Sequence, residues 1–372
     1  MAVSTSLARI VPTHVAPVVL ALALLLAAAS ALGAEPLITT IAGTGAPENN
    51  GDTGAAAAIN IGDPFGVALG PDGALYVTEV RNHRVRRVDL GTGEMSTVAG
   101  CGRRGYSGDG GVAVDAELNE PYEVCFDRDG NMLFVEMQNH LVRRVDAKAG
   151  VISTVAGVGK AGFGGDGGPA IAARFRQPHS IALDSAGSLY IADIGNHRIR
   201  RVDPATGVIE TIAGNEKRTR PVDGQQARGN AILGPRALFV DANDTLWIAL
   251  REGNSVWRMS LADGVLHHVA GLGETGYSGD GGPPSVATFN GPKGIAVDAA
   301  GVVYVADTEN HAIRRIDLAA NRITTLVGTG PDSAGGAGDN GAQLDRPHGV
   351  CVAPDGTLYI GDTLNHRVRR VR

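Results

Sequence analysis

Short apolar segments alternate with polar turns along most of this chain, and one repeat shows the order clearly. Pro178 to Asp184 is apolar, and Ser188 to Asp193 is rich in β-branched and aromatic residues. Two more segments of this kind follow, from Arg198 to Asp203 and from Val208 to Ala213, and a glycine-containing turn precedes each. The pattern predicts four antiparallel β-strands per repeat.

The repeats return at a nearly fixed spacing, and each opens with a proline. These prolines are Pro64, Pro121, Pro178, Pro235, Pro292 and Pro347. Successive prolines are 57 residues apart, except for the last two, which are 55 apart. A constant period with one small unit per repeat is typical of propellers and solenoids, and a four-stranded antiparallel unit is a propeller blade.

The two ends of the chain predict how the ring closes. The last repeat stops at Arg372, within its third strand, whereas Leu37 to Gly43 (LITTIAG) matches the fourth strands of other repeats, such as Ile152 to Gly157 (ISTVAG). The N-terminal strand should therefore complete the last blade, which removes exposed sheet edges. We predict an all-β fold, a six-bladed β-propeller of four-stranded blades.

One motif carries a family resemblance. LYIADIGNHRIRRVD from Leu189 has close copies from Leu75, Leu133, Val303 and Leu358, and a weaker copy from Leu246. The Asn-His pair followed by an aliphatic residue resembles the NHL repeat, and the resemblance covers residues 35–372 almost completely. It implies a six-bladed propeller, and NHL domains usually serve as interaction surfaces. A fold of this kind does not by itself specify an activity.

The N-terminal segment resembles a secretory signal peptide. Arg9 is followed by an apolar segment from Val15 to Ala29 and by small residues up to Ala34. We therefore predict a signal peptide at 1–34, a single propeller domain at 35–372, and a secreted or periplasmic bacterial protein. The alternative is a retained membrane anchor, for which the apolar segment is short. A formal net charge of −6 argues against a nucleic-acid partner.

Polar residues that recur in most repeats are expected to be structural. The repeated acid, histidine and first arginine of the motif are all replaced together in blade 4, by Leu250, Asn254 and Trp257. Joint loss predicts one buried network between the second and third strands. The second arginine is kept in all six blades and has no evident partner in the sequence.

An aspartate also recurs in the glycine-rich loop before each blade. The positions are Asp52, Asp109, Asp166, Asp223, Asp280 and, slightly displaced, Asp339. One principal acid per loop is too few for a calcium site, which needs several converging oxygens. We expect the carboxylate to cap a short Ala-rich turn such as that at Ala170 and Ala173.

Residues that differ between blades are the better candidates for function. The residue after each opening proline should lie at the mouth of the central tunnel, and the six are Phe65, Tyr122, His179, Arg236, Lys293 and His348. The next position is small in five blades and is Glu123 in the sixth. Two cations, two imidazoles, two aromatic rings and one carboxylate suit an anionic or aromatic small molecule or a peptide carboxylate. The alternative is that these side chains form only the solvated rim of the tunnel.

Two functions follow from these residues. The first is a ligand- or protein-binding module, a sensor or scaffold that uses the tunnel mouth or one face of the propeller and works as a monomer. The second is a metal-dependent hydrolase or lyase, by resemblance to propeller lactonases and to the peptide-amidating lyase. Glu123, His179 and His348 are the candidate metal ligands, although the two histidines belong to opposite blades. No cofactor is otherwise predicted, and no catalytic residues are assigned.

Overall fold

The computed structural model describes residues 1–4, 37–331 and 343–372. Leu37–Arg372 forms one compact unit. Most of the predicted signal peptide at 1–34 lies outside the described residues, as does Asp339, and both stay predictions. Among the described residues, no helix has the length and apolar character needed to cross a membrane.

Twenty-five strands of the described residues form six antiparallel sheets, one per blade. Blades 1 and 2 contain β2 (Thr53–Ala55), β3 (Pro64–Leu69), β4 (Leu75–Glu79), β5 (Arg84–Val88), β6 (Glu94–Ala99), β7 (Pro121–Phe126), β8 (Met132–Glu136), β9 (Leu141–Val145) and β10 (Ile152–Ala156). Blades 3 and 4 contain β11 (Pro178–Leu183), β12 (Leu189–Asp193), β13 (Arg198–Val202), β14 (Ile209–Gly214), β15 (Pro235–Val240), β16 (Thr245–Leu250), β17 (Ser255–Ser260) and β18 (Leu266–Ala270).

Blades 5 and 6 contain β19 (Gly294–Val297), β20 (Val303–Asp307), β21 (Ala312–Asp317), β22 (Arg322–Val327), β23 (Val350–Val352), β24 (Leu358–Asp362), β25 (Arg367–Val371) and β1 (Ile38–Ala42). Short 3-10 turns lie at Ala113–Asp115, Ala170–Ala172, Ile194–Asn196, Pro284–Val286, Thr308–Asn310 and Thr363–Asn365. The sheet of blade 6 has the order β1-β25-β24-β23, with Ile38 paired to Val371. The predicted six-bladed ring, closed by the N-terminal strand, is confirmed.

The core of the ring lies between blades. The first strands of neighbouring blades contact one another around the tunnel. Buried apolar side chains cluster in the spaces between adjacent sheets, as where Ile199 of blade 3 and Trp257 of blade 4 belong to one cluster. Burial of apolar surface is the main force that favours folding, so each blade is stabilised chiefly by its two neighbours.

A buried ion pair joins the second and third strands in five blades. In blade 2, Arg143 Nη1 donates to Glu136 Oε1 at 2.8 Å, and in blade 5 Arg314 Nη1 lies 3.2 Å from Asp307 Oδ2. The motif asparagine completes the pair, since Asn310 Nδ2 donates to Asp307 Oδ2 at 2.8 Å. The acid and first arginine therefore form the predicted network.

The repeated histidine does not belong to that network, and this part of the prediction is wrong. Each motif histidine has a left-handed backbone, with φ near 51° at His197, and its Nδ1 accepts an N–H from the next blade. His197 Nδ1 accepts the N–H of Gly234 at 3.2 Å. In blade 4 the replacement Asn254 makes the equivalent hydrogen bond, because its Oδ1 accepts the N–H of Gly291 at 2.9 Å. The imidazole thus joins adjacent blades.

We expect His197→Ala to lower the free energy of unfolding by about 1–2 kcal/mol, because the buried N–H of Gly234 would lose its acceptor. His197→Asn should retain most of the stability, since asparagine accepts this bond in blade 4 and tolerates positive φ. Urea unfolding of both variants measures the difference, with half-exposed His267→Ala as the control. Equal losses for alanine and asparagine would contradict this role.

Four loop aspartates pair with arginine instead of capping the Ala-rich turns, so the capping prediction is also wrong. In blade 4, which lacks the first arginine, Asp223 Oδ1 accepts the N–H of His268. Arg143 Nη2 lies 2.7 Å from Asp109 Oδ1, and Arg314 Nη2 lies 2.8 Å from Asp280 Oδ1. The turns that begin at Ala113, Ala170 and Pro284 have no side-chain cap. The first arginine reaches the loop because its guanidinium extends past the acid of its own blade.

The second arginine of the motif is paired with acids near the strand ends. Arg87 Nε donates to Asp72 Oδ2 at 2.7 Å, and Arg315 Nη2 donates to Asp317 Oδ2 at 3.2 Å. Both pairs are partly exposed, and such pairs contribute under about 1 kcal/mol. The partner that the sequence left open is therefore a surface carboxylate in these blades.

Candidate functional site

The six residues that follow the opening prolines line one cavity of about 470 Å³, which we call the mouth cavity. Local strand geometry explains why they are available. In blades 1 to 4 the pairing of the first strand with the second is interrupted directly after the proline, as between Pro235 and Ala237. A β-bulge removes a residue from the regular strand pairing and changes the direction of its side chain. Arg236 thus has no cross-strand partner and enters the mouth cavity.

Four rings form a continuous aromatic arc along one side of the mouth cavity. Phe65 stacks on His348 with ring centroids 3.9 Å apart and an interplanar angle of 28°. Tyr122 tilts against Phe65 at 4.6 Å, and His179 meets Tyr122 edge-on at 4.8 Å. Contacts of this kind are typical aromatic geometries, and they hold the rings in fixed positions.

The remaining two positions, Arg236 and Lys293, form a cationic arc. Arg236 is 2% exposed, lies over the Tyr122 ring at 5.2 Å, and has a buried Nη1 with no hydrogen-bond partner among the described residues. Burial lowers the pKa of Arg236, but a guanidinium remains charged in proteins. Lys293 Nζ donates to Glu309 Oε1 at 2.7 Å, and burial lowers the pKa of Lys293 to about 8.

Charged residues that the sequence analysis did not select extend the cationic arc. Arg218, Arg251 and Arg346 also line the mouth cavity, together with the acids Asp63 and Glu252. The cavity is therefore lined by more cations than acids, although the whole chain is acidic. The sequence does distinguish Arg346, because it is the only cation among the six residues that directly precede the opening prolines.

Two of the three histidines that line the mouth cavity, His179 and His348, are neutral and share one tautomer. His179 Nδ1 donates to the Gln177 carbonyl oxygen at 2.6 Å, and His348 Nδ1 donates to that of Arg346 at 2.9 Å. Burial and the nearby cations hold the pKa of each imidazole well below its usual range. A carbonyl only accepts, so the proton is on Nδ1 and each Nε2 carries a lone pair.

Glu123 does not join the other six residues. It lines a second cavity of about 410 Å³, whose other lining residues are mostly apolar and include Cys125 and Cys351. Burial raises the pKa of Glu123 to about 7, and the charge of Arg236 opposes that shift. The mouth cavity meets the first strands at the residue after the proline, whereas the second cavity is lined by residues further along these strands, such as Val124 and Cys125. Tyr122 and Glu123 therefore reach different cavities.

The three candidate metal ligands are therefore not brought together, since His179 and His348 line the mouth cavity and Glu123 does not. Among the described residues, no group of three or more His, Cys, Asp or Glu side chains is placed to hold a metal ion. Ser180, which follows His179 in the sequence, makes a contact between blades. It is buried, and its Oγ accepts the N–H of Leu238 at 3.0 Å, which joins blades 3 and 4.

Comparison with known proteins identifies the repeat. The NHL repeat family profile matches residues 62–88, 289–316 and 344–371, and the teneurin NHL domain profile matches residues 159–226. The chain is 28% identical to protein SUPPRESSOR OF QUENCHING 1, chloroplastic, of Arabidopsis thaliana, over 68% of this chain and 25% of that protein. It is 27% identical to human NHL repeat-containing protein 2, over 70% of this chain and 40% of that protein. The chain thus spans less than half the length of these relatives.

Solved structures share the fold at low sequence identity. An auxiliary nutrient binding protein from Bacteroides thetaiotaomicron has a TM-score of 0.67 and 18% identity, covering 91% of this chain and 76% of that one. A gluconolactonase from Xanthomonas campestris has a TM-score of 0.57 and 13% identity, covering 93% and 92%. Virginiamycin B lyase from Staphylococcus aureus has a TM-score of 0.52 and 14% identity, covering 91% and 99%. The repeats, the ring and the sequence relatives agree, and they identify this chain as a six-bladed β-propeller built from NHL repeats.

Proposed function

We propose that this propeller is a binding module that takes a small organic anion into its mouth cavity. One observation carries the proposal: Arg236 is a buried, permanently charged side chain that lines the cavity, and among the described residues it has no acid within 4 Å and no hydrogen-bond partner for its Nη1. An unpaired buried charge is costly, and an anionic ligand would offset that cost. The ligand is either a free acid or the anionic group of a peptide, and a protein partner would reach this site only through such a group.

The setting of Arg236 favours an anion over a neutral ligand. Lys293 and Arg346 share the carboxylate of Glu309, so these three residues keep a net positive charge beside Arg236. Positive potential in a cleft of an acidic protein attracts anions and raises their local concentration. Within a secreted or periplasmic protein, as we propose from the N-terminal segment, such a module would collect or sense a ligand outside the cytoplasm.

A metal-dependent hydrolase or lyase is the second function considered. The propeller lyase and lactonase found among solved structures share only the fold with this chain, at 14% and 13% identity. The described residues offer no converging ligand set, and the neutral histidines are held apart by two aromatic rings. We therefore prefer the binding function.

We expect Arg236→Gln to weaken binding of a carboxylate ligand about 10- to 100-fold, because a hydrogen bond to a charged group contributes about 1.5–3 kcal/mol. Calorimetric titration with butyrate and with inorganic phosphate, at low and at high salt, measures the loss. Arg315→Gln, at a partly exposed arginine outside the cavity, is the matched control and should bind like the unchanged protein. Equal affinity in Arg236→Gln would contradict the proposal.

A further inference from the structure

We propose that the ligand of the mouth cavity is an aromatic monocarboxylate, with its carboxylate on Arg236 and its ring against the arc of Phe65, Tyr122, His179 and His348. This inference rests on the proposed function, and it names the chemical class of the ligand. The site is divided into two halves of different chemistry, and each half limits what can bind.

The cationic half accepts one carboxylate. Arg236 Nη1 and Arg346 Nε are buried donors without a hydrogen-bond partner among the described residues, but Arg346 already donates through Nη2 to Glu309 at 2.6 Å. Lys293 donates to the same carboxylate at 2.7 Å. Among the buried cations of the mouth cavity, the guanidinium of Arg236 therefore remains without a paired acid. A guanidinium fork matches the two oxygens of a carboxylate, so a single carboxylate satisfies it.

The aromatic half begins directly beside this donor. The Arg236 guanidinium lies 5.2 Å from the centroid of the Tyr122 ring, so a carboxylate on Arg236 places the rest of the ligand next to Tyr122 and Phe65. The rings of the arc meet at 28°, 60° and 83°, so their planes differ in orientation, and all four residues line the cavity. Aromatic ligands gain from both arrangements beyond the burial of their surface.

The histidines disfavour a second negative charge on the ligand. His179 and His348 use their Nδ1 protons on backbone carbonyls and keep lone pairs on Nε2. A lone pair repels an anionic oxygen and accepts only from an N–H or O–H. Polyanions such as phosphate therefore fit this half poorly, whereas an aromatic ring fits it. A cavity of about 470 Å³ is within the range of small-molecule sites.

The test compares ligands that differ by one feature. Isothermal titration of the mature protein uses 3-phenylpropionate, butyrate as the acid without a ring, and 3-phenylpropanamide as the ring without a charge. We expect 3-phenylpropionate to bind at least 10-fold more tightly than either of the other two. An N-acetylated tripeptide that ends in phenylalanine, with its C-terminal amide as control, shows whether the aromatic acid can be supplied by a peptide.

Two single variants test the aromatic half and the cationic half of the site separately. Phe65→Leu should reduce the preference for 3-phenylpropionate over butyrate to less than about 3-fold, while Arg236→Gln should weaken both acids. Tyr122→Leu gives a second test of the arc if Phe65→Leu does not fold. Equal binding of butyrate and 3-phenylpropionate, both dependent on Arg236, would overturn the aromatic inference and leave the anion-binding function intact. No binding of any anion, from the free acids to the peptide, would overturn both.

Discussion

Arg314→Leu is expected to lower the free energy of unfolding by about 3–5 kcal/mol, which is the cost of leaving a buried carboxylate without its cation. Arg314 and Asp307 are both fully buried, 3.2 Å apart, and Arg314 also pairs with Asp280. Equilibrium unfolding in urea measures the loss. The neighbouring Arg315→Leu is the control, and it should cost under about 1 kcal/mol because its pair with Asp317 is partly exposed.

Blade 4 supplies the compensating change. Leu250 and Trp257 occupy the positions that correspond to Asp307 and Arg314, and both are buried in an apolar cluster. The double variant Asp307→Leu, Arg314→Trp should therefore recover more than half of the loss, since replacing both partners by apolar side chains leaves no unpaired buried charge. The Asp280 carboxylate, which also loses Arg314, is partly exposed to solvent. A double variant that is no more stable than Arg314→Leu would show that the repeat depends on the ion pair itself.

Glu123→Gln is expected to stabilise the protein at pH 8 by about 3 kcal/mol and to have almost no effect near pH 4.5. Burial raises the pKa of Glu123 from 4.5 to about 7 in the folded chain. The folded state therefore holds this proton more tightly than the unfolded state does. Between these two pKa values stability falls as the pH rises, because folding opposes ionisation of the carboxyl.

The measurement is the difference in unfolding free energy between Glu123→Gln and the unchanged protein from pH 4.5 to 8. Taking the difference removes the contribution of the other titrating groups that the two proteins share. The exposed Glu94→Gln is the control and should give a difference near zero throughout. A difference at pH 8 no larger than that at pH 4.5 would show that Glu123 is solvated or paired.

The sequence was informative about the fold because the repeat makes every signal appear several times. Strand bounds in blade 3 agree to within about one residue, as for Pro178–Leu183 against the expected Pro178 to Asp184. The closing pair of β1 and β25 followed from one displaced strand at the N-terminus. The six mouth residues were found by a simple rule, that the position after the opening proline varies in chemistry from blade to blade.

The errors have a common physical origin, which is that the sequence shows which residues vary together but not which atoms meet. The histidine of the motif is replaced in blade 4 together with the acid and the first arginine. In blade 3, however, the ring of His197 accepts a hydrogen bond from Gly234 of the next blade. Asp109 lies in a loop next to a turn, yet it pairs with Arg143, which is distant in sequence. Glu123 is adjacent to Tyr122, yet it lines the other cavity.

The sequence alone determined the blade, the number of blades, the closing strand and the set of variable residues, because these depend on periodicity and on the alternation of side chains along a strand. Only the tertiary structure decided the partners across blades, the neutral tautomer of His179 and His348, and the unpaired charge of Arg236. These properties depend on distances and burial between segments far apart in the chain. No local pattern of residues encodes such distances, and they appear only once the ring has closed.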